Sequence, residues 1–195
     1  MGLFTPPSSE DLLLQQASQG DRRSLEHLVQ AHQALAYTVA LRVVGNQQDA
    51  EEVVQDAFLK AFGALIDFKQ AAKFSTWLYR IVYNTALTKK RSRSLVTSDL
   101  AEAPEPVGDL NQEPKGWESL QQRDRKKYIS LALSRLQPED ALVLTLHYLG
   151  EKSIAEVCDI MGKKASAIKM QLLRGRKQLE QELNWLLPLE LRNLL

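Results

Sequence analysis

Six basic residues and no acidic one fall between Lys163 and Lys177: Lys163, Lys164, Lys169, Arg174, Arg176 and Lys177. A cationic run of that density suits the binding of phosphates, which gain from a concentrated positive surface. A second grouping is acidic. Asp49, Glu52 and Asp56 stand at i, i+3 and i+7, so a helix would present them as one row of carboxylates with Gln55 beside it. Carboxylates confined to one helix cannot surround an ion without ligands from elsewhere, and acids early in a helix also favour its dipole. No metal site is expected there. His27, His32 and His147 are scattered, none pairs with Ser or Cys in a nucleophile motif, and no Cys/His group has structural zinc spacing. The chain therefore reads as a binding protein and not an enzyme, with no catalytic residue and no cofactor expected.

The cationic run needs a helix to display it. After Gly150, Ser153 can cap a short helix Ile154 to Met161, Gly162 supplies a tight turn, and a longer helix runs from about Ala165 to Leu183. Ala155 and Cys158 are small enough for two steeply crossing helices, and Ile154, Val157, Ile160, Ile168 and Leu172 fill their shared core. This is the grammar of a helix-turn-helix, whose second helix enters a major groove. A basic helix face alone is usually just solvated; the cap, turn and small residues before it favour DNA reading. Early residues of such a helix reach base edges, which marks Ser166, Lys169, Met170 and Gln171. Lys163 and Lys164 project at its entrance, and Arg174, Arg176 and Lys177 lie where phosphates pass.

The first half is also helical. Asp21 can cap a helix carrying Leu25, Leu28, Leu35, Ala36, Val39 and Val43, closed by Gly45-Asn46. Ala50, Val53, Val54, Ala57, Phe58, Ala61, Phe62 and Leu65 repeat at three- and four-residue steps through the next helix. A third starts near Ser75, with Trp77, Leu78 and Ile81 inward and cations at its C-terminal end, where they suit the helix dipole. Trp77 shares a stripe with Ile81 and is expected in the core. Residues from about Ser94 to Trp117 hold three prolines and two glycines. Between Asp99 and Glu118 six acids face only Lys115. That composition describes a solvated linker. The expected fold class is all-α: two small helical domains joined by a flexible acidic linker.

The 195 residues are 44% apolar, enough to bury two cores, and the net charge of +1 hides the segregation just described. A single cysteine, no basic start followed by an apolar core, and no apolar run near the ~20 residues of a membrane helix lead us to expect a cytoplasmic protein without membrane insertion. Cys158 is expected to be buried and unreactive.

Asp49-Ala-Glu-Glu-Val-Val-Gln-Asp-Ala-Phe58 and Phe74-Ser-Thr-Trp-Leu-Tyr-Arg-Ile-Val-Tyr-Asn84 resemble conserved region 2 of the extracytoplasmic-function (ECF) sigma factors of RNA polymerase. Leu136-Gln-Pro-Glu139, Ser153-Ile-Ala-Glu-Val157 and Ala167 to Lys177 resemble region 4 of the same family. The resemblance implies region 2 over 1–95, a linker over 96–122, region 4 over 123–184, and an apolar tail over 185–195. It implies a transcription initiation factor whose partners are core RNA polymerase, through clamp and flap, and promoter DNA. Polymerase docking would fall to Asp49, Glu52, Gln55, Asp56, Phe62 and Leu65. The loop from Asp67 to Lys73 would capture a flipped base of the minus-10 element through Phe68, Lys69 and Gln70, and Asn84, Lys89, Lys90 and Arg91 would meet the DNA nearby. The residues Lys163 to Lys177 named above would bind the minus-35 element. An anti-sigma protein is a further expected partner, for which the tail is one docking segment; the alternative is that the tail packs on its own domain.

The chain departs from the family at Gln171, where Arg is frequent, and at Gly175, where Ala is frequent. Gly175 is open to two readings, a close approach to DNA or polymerase or a loosened helix. Two other functions stay in view: a stand-alone helix-turn-helix repressor or activator, and a sigma-like decoy that binds polymerase or an anti-sigma protein without reading DNA.

Overall fold

The computed structural model describes residues 9–68, 71–96 and 120–186. Lys69, Gln70, most of the expected linker and the tail beyond residue 186 lie outside them. Helices account for nearly all of the described residues, and no strand occurs among these. In order they are α1 (Ser9–Ser18), α2 (Arg22–Val44), α3 (Gln47–Gly63), a 3-10 turn (Leu65–Asp67), α4 (Phe74–Val96), α5 (Leu120–Ser134), α6 (Pro138–Leu144), a π-helical turn (Thr145–Leu149), α7 (Ile154–Met161) and α8 (Ala165–Leu186).

Local chemistry sets the boundaries. The Asp21 carboxylate accepts from the backbone N–H of Ser24 at the start of α2, and Asn46 does the same for Asp49 at the start of α3. Pro138 occupies the first turn of α6, where its missing N–H costs nothing. Ser153 and Glu156 form a reciprocal capping box on α7, and Gly162 ends that helix in the left-handed conformation at φ +65°.

Helices α2, α3 and α4 pack on one another as the first bundle, and α5 to α8 form the second. The sequence pattern gave no sign that the two would also touch. In the structure α4 packs on α7, and α2 packs on both α6 and the π turn. As a result the buried residues form one continuous cluster, running from Leu28, Val39, Leu78 and Val82 to Leu142, Leu146, Val157 and Ile168. Helix α2 thus packs against α3 and α4 and also against α6. This explains why Val39, Ala40, Leu41, Arg42 and Val43 are all buried in succession.

Candidate functional site

Helix α8 displays the residues expected to read DNA, and α6 holds it in place. Ser166, Lys169, Met170, Arg176 and Lys177 are exposed, as is Lys164 at the entrance. With Leu173 they share the outward face, since 166, 169, 170, 173 and 177 follow helical spacing. Leu173 is 64% exposed, an apolar group amid cations that the sequence reading passed over.

Gln171 is a correction. It is buried at 7% exposure, and its Nε2 donates to Glu139 Oε2 at 2.9 Å, so it faces α6 and not a groove. The same Glu139 oxygen accepts from Lys163 Nζ at 2.6 Å. Arg174 remains partly exposed but is bound to the fully buried Asp140. Glu139 and Asp140, at the first turn of α6, thus anchor three of the predicted DNA residues. Two carboxylates in the otherwise apolar run Pro138-Glu-Asp-Ala-Leu-Val-Leu144 were the available signal.

Gly175 has a role outside the two expected readings: it is buried against α6. A Cβ there would sit 3.1 Å from Leu144 Cδ1 and 3.4 Å from Asp140 Cβ, so the glycine lets α8 and α6 approach closely. Ala155 is exposed and not buried at a helix crossing as expected, and Cys158 is half-buried, short of the full burial expected.

On α3 the carboxylate row is divided. Asp49 lies inward between Lys89 Nζ at 3.6 Å and Arg93 Nη1 at 3.1 Å, both on α4. Burial alone would push its carboxyl up, but hydrogen bonds from Asn46 and Arg93, with Lys89 nearby, bring it below the usual carboxylate range. Glu52 pairs with Lys89 at 2.6 Å, and that hydrogen bond raises the lysine above its ordinary value. Gln55 and Asp56 stay exposed, Phe62 is half-buried against Phe58, and Leu59 and Ile66 are 71% and 78% exposed. Leu65 is a second correction to the docking set that the resemblance implied: at 4% exposure it belongs to the core, as its place on the apolar repeat requires, while Ile66 beside it in the 3-10 turn is exposed. Leu59 and Ile66 were missed, since helical spacing alone cannot tell an apolar surface from a core stripe.

Around the predicted strand-capture loop, Phe68 is half-buried, its ring 4.9 Å from Trp77 and 6.0 Å from Phe74. Trp77 packs in this aromatic cluster, as expected. Asn84, Lys90 and Arg91 are exposed along α4, while Lys89 is drawn into the pairs with α3. Among the described residues no group of His, Cys, Asp and Glu is arranged to hold a metal ion, and no helix is long and apolar enough to cross a membrane.

Residues 28–96 match the family model described as Sigma-70 region 2, and residues 126–179 match Sigma-70, region 4. The chain is 26% identical over 192 residues to the ECF RNA polymerase sigma factor SigW of Bacillus subtilis, covering 87% of this chain and 94% of that one. It is 27% identical over 181 residues to the RNA polymerase sigma-H factor of Pseudomonas aeruginosa, covering 90% and 94%. Among solved structures, the sigma factor RpoE of Bartonella quintana, in complex with the anti-sigma factor NepR, shares the fold. Its TM-score is 0.66 at 20% identity, covering 82% of this chain and 96% of that one.

Proposed function

The chain belongs to the sigma-70 family of RNA polymerase sigma factors, in the ECF group, and from that premise we propose how it divides the work of promoter-directed transcription initiation. The observation that carries the proposal is the outward face of α8, where Ser166, Lys169, Met170 and Leu173 stand between Lys164 and the pair Arg176 and Lys177. Ser166, Lys169 and Met170 read base edges of the minus-35 duplex; the flanking cations hold phosphates. Charge-assisted contacts of this kind fix the register, and base-edge contacts select sequence.

The first half docks on the polymerase clamp through the exposed Gln55, Asp56, Leu59 and Ile66, with the half-buried Phe62 beside them. It meets the minus-10 element through the loop before α4 and through Asn84, Lys90 and Arg91. The second half also contacts the polymerase flap. An anti-sigma protein is a further partner, as NepR is for the Bartonella quintana protein.

Binding and footprinting with core polymerase test this division. Asp56→Arg should weaken core binding and leave the helical fold intact. Lys169→Glu should preserve core binding and abolish minus-35 protection. Loss of one phosphate-binding cation should reduce the salt slope of DNA binding by about one unit. Tight duplex binding without polymerase would favour a stand-alone repressor or activator, and indifference to Lys169→Glu would favour a decoy.

A further inference from the structure

Leu173 is 64% exposed on the outward face of α8, and Met170, three residues before it, is exposed to the same extent. Side chains three apart on a helix are neighbours, so the two form one apolar spot. Its surroundings are cationic. Lys169 stands four residues before Leu173, Arg176 three and Lys177 four after it, and all three are exposed. An occupant that suits this face must offer negative charge around an apolar point.

The side chains beside the spot that could grip a base with two hydrogen bonds are held by α6. Gln171 is buried and donates to Glu139, and Arg174 directs both Nε and Nη2 to Asp140. Paired hydrogen bonds from Arg select guanine, and those from Gln select adenine, so neither residue is placed to read its base. What remains at the centre of the face is apolar. The floor of the major groove has one apolar feature, the 5-methyl group of thymine. The phosphates along the groove supply the surrounding negative charge.

We propose that Leu173 and Met170 read thymine 5-methyl groups in the minus-35 duplex, so that this chain selects part of its promoter by apolar contact and not by paired hydrogen bonds. The inference rests on the minus-35 role of α8 given above and names what the centre of that helix recognises. Three residues of α-helix rise about 4.5 Å, and successive base pairs stand about 3.4 Å apart. The two side chains therefore meet methyl groups on neighbouring base pairs. Lys169, Arg176 and Lys177 hold the phosphates around them.

The test uses the full chain bound to core polymerase and a promoter fragment taken from one of the transcription starts it selects. In a second fragment every thymine of the minus-35 region is replaced by deoxyuridine, which removes the methyl group and keeps every base-pairing group. The wild-type complex should bind the uracil fragment at least about tenfold more weakly, from about fourfold for each of two methyls. Leu173→Ala and Met170→Ala should each bind the thymine fragment more weakly and keep only about a fourfold preference for it. The double variant should bind the two fragments about equally. Equal affinity of the wild-type complex for both fragments overturns the inference and leaves the apolar spot to a protein partner. A uracil penalty that the double variant keeps also overturns it, because the penalty then lies in the shape of the duplex and not in these side chains. Footprinting on the thymine fragment reads the promoter role separately. A minus-35 region left unprotected refutes that role and the inference with it, whereas protection that is indifferent to uracil refutes the methyl contacts alone.

Discussion

Arg174 grips Asp140 with both arms of its guanidinium: Nε donates to Oδ2 at 2.5 Å and Nη2 to Oδ1 at 2.6 Å, and the Asp140 side chain has no exposed surface. The pair fastens the DNA-reading helix to α6, and its two ends differ in what they can fall back on. Arg174→Met leaves a carboxylate buried without a partner, whereas Asp140→Asn leaves an arginine that can turn to water. Urea unfolding should therefore show a larger loss of stability for Arg174→Met than for Asp140→Asn. Equal losses would mean that the pair is effectively solvated.

Gly175 lies beside the same pair. A side chain there must enter the space between Leu144 and Asp140, where a Cβ alone already stands 3.1–3.4 Å from its neighbours. Gly175→Val should cost about 1–3 kcal/mol by overpacking, despite removing a helix-weakening glycine. The same experiment should show weaker minus-35 binding, since α8 is pushed off α6.

Arg42 tests what an unpaired buried cation costs the fold. Because two of its nitrogens are buried without acceptors, Arg42→Met should raise the stability of the free chain by about 1–3 kcal/mol, as read from the urea midpoint. A loss of stability would show that the guanidinium is satisfied in solution.

The capping box gives the fold an acid limb. Burial alone would raise Glu156, but the backbone and hydroxyl of Ser153, together with Lys73, outweigh it and bring the carboxyl from 4.5 to about 2. A lowered folded-state value means that the unfolded chain binds the proton first as pH falls. The stabilisation is therefore present above about pH 4.5 and lost on the way down to about pH 2. Stability measured across that window should fall less steeply in Glu156→Gln than in the wild-type chain.

Much of this architecture could be read from the residues. Asp21, Gly45, Ser153 and Gly162 announce helix ends by chemistry that acts within four residues, and the structure uses each of them. What could not be read is mostly long-range. The distance between Gln171 and Glu139 is 32 residues in sequence, so nothing local says that the glutamine turns inward to α6. Leu65 is the opposite case: its spacing already set it on the buried stripe, and only the family resemblance gave it a docking role. The contact between the two halves was invisible for the same reason as the Gln171 contact: Lys152 and Ser75, whose side chains meet at 2.5 Å, carry no pattern that pairs them across 77 residues.

The central claim is most directly tested by transcription of genomic DNA by core RNA polymerase with and without this protein, followed by mapping of transcript 5′ ends. A discrete set of starts should appear only with the protein, share two upstream sequence elements, and disappear with Lys169→Glu. Unchanged, non-specific starts in the presence of the protein would contradict it.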